Sequence, residues 1–496
     1  MNWKIIGRSL KNADMRKRIA AVLGILLIFR ILAHIPVPLA DPQTLQQVLQ
    51  NLFTGSSSPQ LLSFINLLSG GALANFSIML AGLGPYINAS IIMQLLTKAL
   101  PKLEALQKEG EFGQRKINQM TRMLTLPLAI LQSIGAIYLI RGYAQSVGGI
   151  GDITANTSLM QWVLMIAALT GASMLLMWMG EQVTERSLGN GISLLITVGI
   201  VSGLPSLIAG IVKGVFDGSS HWNIFGWWAP INQRQFIIAI IIALAVLATT
   251  WIVVKLNEAA RRLTINYAKR VQGNRTYGGV TTILPVKLIG AGVVPIIFAV
   301  AFLSVPPFVG ELLKKATSER MQELGANMVN WFQSPTVTTF ATEGWHAWIY
   351  PISYFLLVFA FTYVYTSITF NSKEIAENLQ KQGGFIEGVR SGKQTEKYLS
   401  KTVNRLTLFG AFSLGLLALA PIIAQIFMPE AQNVAIGGTS VLILVAVALE
   451  TLRATESRAL MVTYDQYEQP DYFQEIAEQK EADAKKRRFP FLSRKK

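Results

Sequence analysis

Long apolar runs separated by shorter polar stretches recur along the chain. A helix needs about 20 apolar residues to cross the hydrocarbon core of a bilayer, so the pattern predicts membrane-spanning helices. Ten spans are predicted, at 19–36, 76–97, 120–141, 159–180, 189–210, 236–255, 288–309, 348–370, 405–428 and 434–452. With an odd number of spans per half, the two halves would have opposite orientations, as in inverted-repeat transport proteins. The expected fold is an all-α integral membrane protein with ten transmembrane helices in two inverted five-helix halves around a central pore.

One region departs from this regular pattern. A short apolar run, Leu61 to Leu68, is interrupted by Ser69-Gly70-Gly71 long before it could span a membrane. The following run, Phe76 to Leu96, has Gly82, Gly84 and Pro85 near its middle. Non-helical backbone at membrane depth is tolerated only where it is buried in protein or lines a watery cavity. The region is therefore predicted to be a re-entrant segment followed by a pore-lining helix.

The spans define the domain organisation. The N-terminal half, 19–210, contains spans 1 to 5 and a re-entrant segment at 61–75, and the C-terminal half, 236–452, contains spans 6 to 10. Residues 1–18 precede the halves, an outer loop at 211–235 joins them, and a charged tail at 453–496 follows. We expect the tail from Thr455 onward to be mostly disordered, and 312–331, within a longer outer insertion at 306–347, to be an interfacial helix.

Composition supports a membrane protein and sets its orientation. The chain is 51% hydrophobic and only 15% charged, with a net charge of +16. Most of its 44 Lys and Arg residues fall on the side of the predicted spans that carries both termini. By the positive-inside rule, both termini are predicted to be cytoplasmic, in a multi-pass protein of the cell (inner) membrane.

The predicted spans contain few residues that could bind an ion or take part in catalysis. Between the membrane interfaces, the ionisable residues of the spans are few, namely Arg30, His34 and Glu450, whereas proton- and ion-coupled transporters usually bury such groups along their path. The chain has no cysteine, and its three histidines lie far apart in sequence. No nucleotide-binding motif and no nucleophile with a base is present, so we expect neither an enzyme nor a cofactor or metal site. A secondary transporter of inverted-repeat type remains an alternative, and so does a membrane scaffold that only displays its loops.

Two cytoplasmic loops, 255–287 and 371–405, each contain seven basic residues. A few positive charges would be enough to fix orientation, and aromatic residues and turn glycines are interleaved with the basic ones. A folded surface displayed for a partner and a solvated loop that obeys the positive-inside rule are equally compatible with this pattern.

Several motifs, in order along nearly the whole chain, resemble the SecY family, the central subunits of the protein-conducting channel. They are Phe64–Leu73, Gly84–Leu96, Lys108–Glu111, Met177–Arg186, Gly189–Ser193, Asn266–Arg270, Asn378–Gly383 and Gly437–Ser440. The resemblance implies a channel that translocates unfolded preproteins across the membrane and inserts hydrophobic segments laterally into lipid. The outer insertion and the tail beyond about Glu468 have no counterpart in it.

The resemblance also assigns residues to the conducting path. It implies a plug that fills the outer funnel at rest, formed by Ser63, Phe64, Ile65, Asn66, Leu67, Leu68, Ser69, Gly70, Gly71, Ala72 and Leu73. It implies a pore ring of six aliphatic side chains that would exclude water and ions around a passing chain, namely Leu83, Ile87, Ile192, Ile196, Ile297 and Ile443. Without the resemblance, these six would be interpreted as ordinary lipid-facing or core residues.

The resemblance places a lateral gate between spans 2 and 3 on one side and spans 7 and 8 on the other. Asn88 and Gln94 fit that seam, although a permanent hydrogen bond to a neighbouring helix is nearly as compatible with each amide. Arg390 and four loop residues match positions that dock a SecA motor ATPase or the ribosome; the four are Arg261, Arg262, Lys269 and Arg270. Small SecE-like and SecG-like membrane subunits are the other implied partners, beside the unfolded preprotein with its signal sequence and membrane lipid.

Overall fold

A computed structural model gives the structure of the chain. It describes residues 12–37, 77–148, 157–186, 189–216, 222–224, 227–229, 232–267, 270–272, 275–277, 281–290, 292–314, 318–332, 335, 340, 344–427 and 432–468. The predicted plug, Ser63 to Leu73, lies outside these residues, and so do Lys269 and 469–496.

In the part of the chain that the structure describes, six helices belong to the first part of the fold. They are α1 (Ala13–Leu32), α2 (Gly84–Ala99), α3 (Pro101–Lys108), α4 (Glu111–Gly148), α5 (Leu159–Glu185) and α6 (Gly191–Val215). Side-chain oxygens fix several of their first turns, because the first amides of a helix have no partner within it. Asn12 caps α1, and Ser158 caps α5 in a reciprocal arrangement with Gln161.

Among the described residues, the second part contains eight helices and a 3₁₀ helix, Gly344–Trp348. The helices are α7 (Gln233–Glu258), α8 (Val294–Leu303), α9 (Val305–Leu313), α10 (Glu319–Phe332), α11 (Ile349–Thr369), α12 (Ser372–Lys381), α13 (Lys393–Phe427) and α14 (Gln432–Glu468). Each of the ten predicted spans overlaps one or two of these fourteen helices. Within the described residues, six stretches are long and apolar enough to cross a membrane: Glu111–Tyr138, Leu159–Glu185, Gly191–Val215, Gln233–Glu258, Gly344–Lys381 and Lys393–Ile423. The exact number of ten spans stays a prediction.

Three small antiparallel sheets accompany the helices. Their strands are β1 (Trp222–Ile224), β2 (Trp227–Ala229), β3 (Ala260–Tyr267), β4 (Arg270–Gln272), β5 (Arg275–Tyr277), β6 (Thr281–Lys287) and β7 (Gly384–Ile386). β1 pairs with β2, and β4 pairs with β5. In the third sheet, of order β6-β3-β7, Ile265 lies opposite Thr282 on one side and Ile386 on the other. The two basic loops of the sequence analysis are therefore joined through one folded sheet, not two separate solvated loops.

The largest apolar core lies among the helices of both parts. It includes buried side chains from α1, α2, α5, α6, α7, α8, α11, α13 and α14, among them Phe29, Leu176 and Val358. A smaller core under the three-stranded sheet contains Leu263, Ile265 and Leu399, so the sheet packs on the first turns of α13. Burial of these apolar side chains supplies the main favourable free energy for packing the sheet onto the helix.

The structure differs from three expectations about local structure. The second helix begins at Gly84, after a series of turns at 78–83, and not at residue 76, because Gly82 takes a left-handed φ of 57° and Pro85 starts the helix. The expectation of a disordered tail from Thr455 was wrong for residues up to Glu468, because α14 continues to that residue. In the outer insertion, the predicted helix at 312–331 is not one helix, because α9 ends at Leu313 and α10 begins at Glu319.

Candidate pore and lateral seam

The six pore-ring residues come from four helices that belong to both halves. Leu83 caps α2 and Ile87 follows one turn later, while Ile192 and Ile196 lie in the first two turns of α6. Ile297 is in α8 and Ile443 is in α14. Five of these side chains are buried, and Ile192 is half-buried against them; all six contribute to the same apolar cluster. The structure brings the six together, and their role as a ring stays a prediction.

The capped start of α6 positions Ile192 and Ile196. The Asn190 carboxamide oxygen accepts hydrogen bonds from the backbone N–H groups of Ile192 and Ser193, at 3.1 and 3.4 Å. Gly191 lies so close to α5 that a Cβ atom on it would be only 1.9 Å from the carbonyl oxygen of Gly180. This contact needs glycine, since any other residue would push α6 away from α5.

The opposite side of the cluster is formed by the start of α8. Gly292 has a φ of 61°, a left-handed conformation that favours glycine, and Pro295 lies in the first turn of the helix. Every residue from Pro295 to Ala299 is buried. Ile296 and Ile297 are neighbours with side chains about 100° apart around the helix axis, so they face different partners although both are buried.

A cavity of about 450 Å³ lies beside the pore-ring cluster, between α2 and α4 of the first half and α8 and α9 of the second. Its lining is mainly apolar and includes Ile91 and Phe302, with Asn88, Gln132 and Ser304 as polar members. Such a cavity, apolar with a few polar groups, is typical of a site that holds an apolar ligand.

A narrower crevice continues the boundary between α2 and the pair α8 and α11; we call this boundary the lateral seam. Gln94 lines the crevice together with Leu95 and Phe298. The Gln94 amide donates to the Ser90 hydroxyl at 3.1 Å, which is a hydrogen bond within α2 and not across the seam. The Lys98 ammonium group does cross it, donating to the Ser367 carbonyl oxygen at 3.4 Å.

Aromatic side chains hold α8 against α11 on the far side of the seam. Phe298 packs edge-to-face on Phe361 and Tyr365, with ring centroids 6.0 and 6.4 Å apart, and Phe302 adds a similar contact with Phe361 at 6.1 Å. Such pairs contribute about 0.5–1.5 kcal/mol beyond the burial of their area. These residues could not be identified from the sequence, because an aromatic residue in a span has no local signal that distinguishes a helix–helix boundary from a lipid-facing surface.

An ion pair joins α4 to α5 in the first half. The Arg122 guanidinium contacts the Glu181 carboxylate through two hydrogen-bonding atoms, with Nε–Oε1 at 2.9 Å and Nη2–Oε2 at 2.7 Å. A two-point contact of this kind fixes orientation as well as distance. Glu181 belongs to one of the motifs that resemble the SecY family, but its partner, 59 residues away, could not be identified from the motif.

The basic residues of the loops occupy different surroundings. Arg261 and Arg262 are exposed on β3, Arg270 begins β4, and Lys269 lies outside the described residues. Arg390 is exposed, and its backbone carbonyl oxygen accepts a hydrogen bond from the buried Thr395 hydroxyl at 3.0 Å. The structure thus presents three arginine side chains, Arg261, Arg262 and Arg390, on one folded unit.

Lys287, at the end of β6, differs from these exposed basic residues. Burial lowers the pKa of its ammonium group, the neighbouring Arg453 lowers it further, and the Glu450 carboxylate opposes both. A lysine in such surroundings is a poorer candidate for contact with a partner than the arginines on the sheet.

Comparison with known proteins decides the family. The SecY family model matches residues 77–452, and a protein translocase subunit SecY of Streptomyces galbus is 38% identical over 462 residues, which cover 92% of this chain and 98% of the relative. The chain belongs to the SecY family. The predicted family and function, a SecY-type protein-translocation channel, are confirmed, and the secondary-transporter alternative is not supported.

Solved SecY-type channels have the same helical fold. A protein-conducting channel superimposes with a TM-score of 0.59 at 17% identity, over 88% of this chain and 91% of the other. A SecY whose plug domain stabilises the closed state gives 0.58 at 18% identity, and a canine Sec61 in a ribosome-channel complex gives 0.56 at 17%, both with the same shares of each chain. The predicted all-α channel fold is therefore confirmed.

Proposed function

We propose that unfolded preproteins pass through this SecY-family chain between its two halves, at the cluster formed by the six pore-ring residues. One observation carries the proposal: aliphatic side chains from α2, α6, α8 and α14 belong to one buried cluster, which adjoins the cavity at the lateral seam. Bulky aliphatic side chains around a narrow opening would block ions by excluding water, and would part to admit an extended chain. The neighbouring cavity would receive a hydrophobic segment on its way to lipid.

The direct test is protease protection of a secretory precursor. Vesicles would contain the full chain with SecE-like, SecG-like and SecA-like partners, with and without ATP. We expect ATP-dependent protection that disappears in vesicles lacking this chain. If the motor hydrolyses ATP and no precursor is protected, the conducting role is wrong.

The pore ring has its own test in the adjacent residues Ile297 and Ile296. Ile297→Gly should open the ring and raise the ion conductance of resting channels in planar bilayers several-fold. Ile296→Gly removes the same side chain from the same buried cluster, one position away, so it controls for loss of packing. If the two variants conduct equally, Ile297 has no special place in the ring.

We propose that the folded unit carrying Arg261, Arg262 and Arg390 docks the partner that drives translocation, either a SecA-like motor or the ribosome. The canine relative was solved in a ribosome-channel complex. Guanidinium groups form strong charge-assisted hydrogen bonds with the carboxylates of a motor or the phosphates of ribosomal RNA. Arg390→Glu should therefore abolish motor-driven translocation while leaving the resting conductance unchanged. Unchanged translocation would remove the docking role.

We propose that Ser63 to Leu73 form a plug that closes the resting channel. We also propose that Asn88 and Gln94 belong to the lateral gate. A related SecY has a plug domain that stabilises its closed state and maintains a membrane seal. Deletion of 63–73 should raise the ion leak of resting channels, and an unchanged leak would remove the assignment.

We also propose SecE-like and SecG-like partners and a cytoplasmic location for both termini in the cell (inner) membrane. α7 supports a partner helix, because among its residues only Val253 is buried and large side chains such as Leu244, Leu247 and Trp251 are exposed. The excess of Lys and Arg on the side of the termini supports the orientation.

A further inference from the structure

The hairpin of α9 and α10 contacts both halves of the chain. α9 packs on α8 and α10 of its own half, and it also contacts α4 of the first half. Phe308 and Val309 of α9 line the cavity at the lateral seam from one side, and Ala136 of α4 lines it from the other. The hairpin belongs to the outer insertion, to which the resemblance to the SecY family assigns no role.

The Phe308 ring crosses the boundary between the halves and packs into a notch in α4. The notch lies at Gly135, a buried glycine, and Phe308 itself is half-buried. A Cβ atom on Gly135 would overlap the far edge of the ring, at atoms Cζ and Cε2. The ring therefore occupies the space that any other side chain at position 135 would need.

The second half holds the backbone under this ring. Pro306 and Pro307 lie in the first turn of α9 and restrict φ there, which sets the direction in which α9 leaves α8. On the other side of Phe308, Gly310 packs closely on α10, since a Cβ on it would be 2.7 Å from the Gly325 carbonyl oxygen. The backbone of Phe308 is thus fixed by the second half, while its ring packs on the first.

The contact of Phe308 differs from the hydrogen bond that crosses the seam elsewhere. That hydrogen bond joins the exposed Lys98 ammonium group to the Ser367 carbonyl oxygen at 3.4 Å. Water replaces an exposed polar contact when the helices part, so such a contact contributes little. A ring that leaves a matching notch loses its dispersion contacts, which hold helices together in a membrane. The Phe308 contact is therefore the stronger resistance to separation.

We propose that the hairpin of α9 and α10 is a strap that holds the two halves together beside the lateral seam, through the Phe308 ring packed at Gly135. The strap keeps α9 against α4 in the resting channel and releases α4 when the ring leaves the notch. The contact between the halves does not depend on the route of any substrate. Its effect on the release of hydrophobic segments rests on the proposed exit through the seam. Segments of marginal hydrophobicity gain little from entering lipid, so their release depends most on how easily the strap opens.

A distance measurement between the halves tests the strap directly. The chain has no cysteine, so Leu131→Cys on α4 and Leu324→Cys on α10 can carry spin labels in the full chain, purified with its membrane subunits and placed in lipid vesicles. Both side chains are more than half exposed. Double electron–electron resonance then gives the fraction of channels in which α10 has separated from α4. We expect Phe308→Ala to raise this fraction at least about threefold, because the closed state loses the packing of the ring.

Gly135→Ala gives a sharper test, because its effect depends on the ring. The added methyl group displaces Phe308, so this variant alone should also raise the separated fraction. In Gly135→Ala/Phe308→Ala the methyl group meets no ring, and the separated fraction should match that of Phe308→Ala within about twofold. Phe308→Ala only removes atoms, so it decides the question if Gly135→Ala fails to fold.

Two matched variants control for changes of volume. Val309→Ala shortens the next side chain of the cavity lining, and Gly171→Ala adds a methyl group to α5, where no atom lies within 4 Å of it. Both should leave the separated fraction unchanged. An unchanged fraction in Phe308→Ala, an equal rise in Val309→Ala, or additive effects of Gly135→Ala and Phe308→Ala would each overturn the strap.

Insertion of a labelled segment of marginal hydrophobicity, measured in the same vesicles, separates the strap from the proposed exit. If Phe308→Ala raises both the separated fraction and the insertion of this segment several-fold, the strap controls release through the seam. If the separated fraction alone rises, the strap joins the halves as proposed and the seam is not the exit.

Discussion

The loop of Arg390 shows how single residues fix an exposed charge in place. Gly388 and Gly392 flank it with φ angles of 76° and 92°, in the left-handed region that favours glycine. Thr395 is only 2% exposed, and its hydroxyl donates a hydrogen bond to the Arg390 carbonyl oxygen. The guanidinium group is thus exposed while the backbone that carries it is held, which would reduce the entropy lost in the proposed docking.

Thr395→Val is expected to weaken docking without any change of charge. Valine has nearly the same shape but cannot donate to the Arg390 carbonyl oxygen, and the loss of one such hydrogen bond costs about 0.5–1.5 kcal/mol. We expect the affinity of a SecA-like motor for chain-containing vesicles to fall by roughly two- to tenfold. The measurement is a binding isotherm with labelled motor.

The conservative variant Thr395→Ser retains the hydroxyl and should bind the motor as the unchanged chain does. If valine and serine have the same effect, the hydrogen bond does not position Arg390.

Contacts between residues that are far apart in sequence could not be predicted from the residues themselves. Glu181 lies in a motif of the SecY family, yet nothing near it in sequence indicates Arg122 as its partner. The spacing of apolar residues reports the direction in which a side chain faces on its own helix, but not which helix packs there.

At the scale of elements, the hairpin of α9 and α10 depends on a contact between glycines. A Cβ on Gly325 would be 2.6 Å from the Gly310 carbonyl oxygen, and a Cβ on Gly310 would be 2.7 Å from the Gly325 carbonyl oxygen. The two helices therefore approach each other more closely than any other residue would allow.

Gly325→Ala is expected to open this hairpin locally. The added methyl group meets backbone rather than a flexible side chain, and overpacking of this kind costs about 1–3 kcal/mol. We expect amide hydrogen exchange in α10 to become about tenfold faster or more, as measured by mass spectrometry.

Gly24→Ala is the matched control, because no atom within 4 Å would meet its Cβ in α1. It should leave exchange in α1 unchanged or slower, since alanine has the higher helix propensity. Unchanged exchange in α10 of Gly325→Ala would contradict the close packing of the hairpin.

The sheet β6-β3-β7 shows that the two basic loops fold as one unit, and the docking of a partner there stays a prediction. The basic loops were equally compatible with a partner surface and with solvated chain, and the pairing of Ile265 with Ile386 unites them. Strand pairing between residues so far apart in sequence is not encoded in either strand, because the three residues of β7 have no alternation long enough to indicate a partner.

At the scale of the whole molecule, the lateral seam is where the two halves meet beside the pore-ring cluster. The crevice there lies between α2 on one side and α8 and α11 on the other, and Gln94 and Ile368 line it from opposite sides. If this seam is the proposed lateral gate, release of a hydrophobic segment into lipid requires these helices to separate, so a covalent bridge should prevent it.

The absence of cysteine from the natural sequence allows a clean test of the seam. Gln94→Cys/Ile368→Cys, bridged with a bis-maleimide reagent whose linker contains a disulfide, is expected to lower insertion of a hydrophobic segment by about tenfold or more, and reduction of the linker should restore it. Insertion is measured as integration of a labelled membrane segment into the vesicles.

A bridge within the first half controls for the chemistry. Ile92→Cys/Leu128→Cys joins α2 to α4 on the same side of the seam, where both residues line the larger cavity. It should leave insertion largely intact. Full insertion through the bridged seam would exclude this boundary as the exit.

The sequence by itself determined the properties that depend on local chemistry. Apolar runs of spanning length, the breaks around Gly82 and Pro85, and ordered motifs such as Met177–Arg186 were enough to predict a helical channel of the SecY family. The free energy of transferring an apolar segment into lipid depends mainly on the composition of about 20 consecutive residues. Membrane-spanning segments can therefore be predicted from the sequence without knowledge of the fold. Local composition gave a wrong prediction for Thr455 to Glu468. The high charge of this segment indicated disorder, but α14 continues through it as a helix.

Only the tertiary structure decided which residues meet. Ile297 and Ile296 are the same residue type in the same turn of α8, and the fold alone determines the different partners that face them. The lysines of α13 looked like part of a loop surface until α11 placed Tyr363 and Phe359 beside them. Close packing of helices from distant parts of the chain depends on shape complementarity over their whole length, and no short stretch of sequence contains that information.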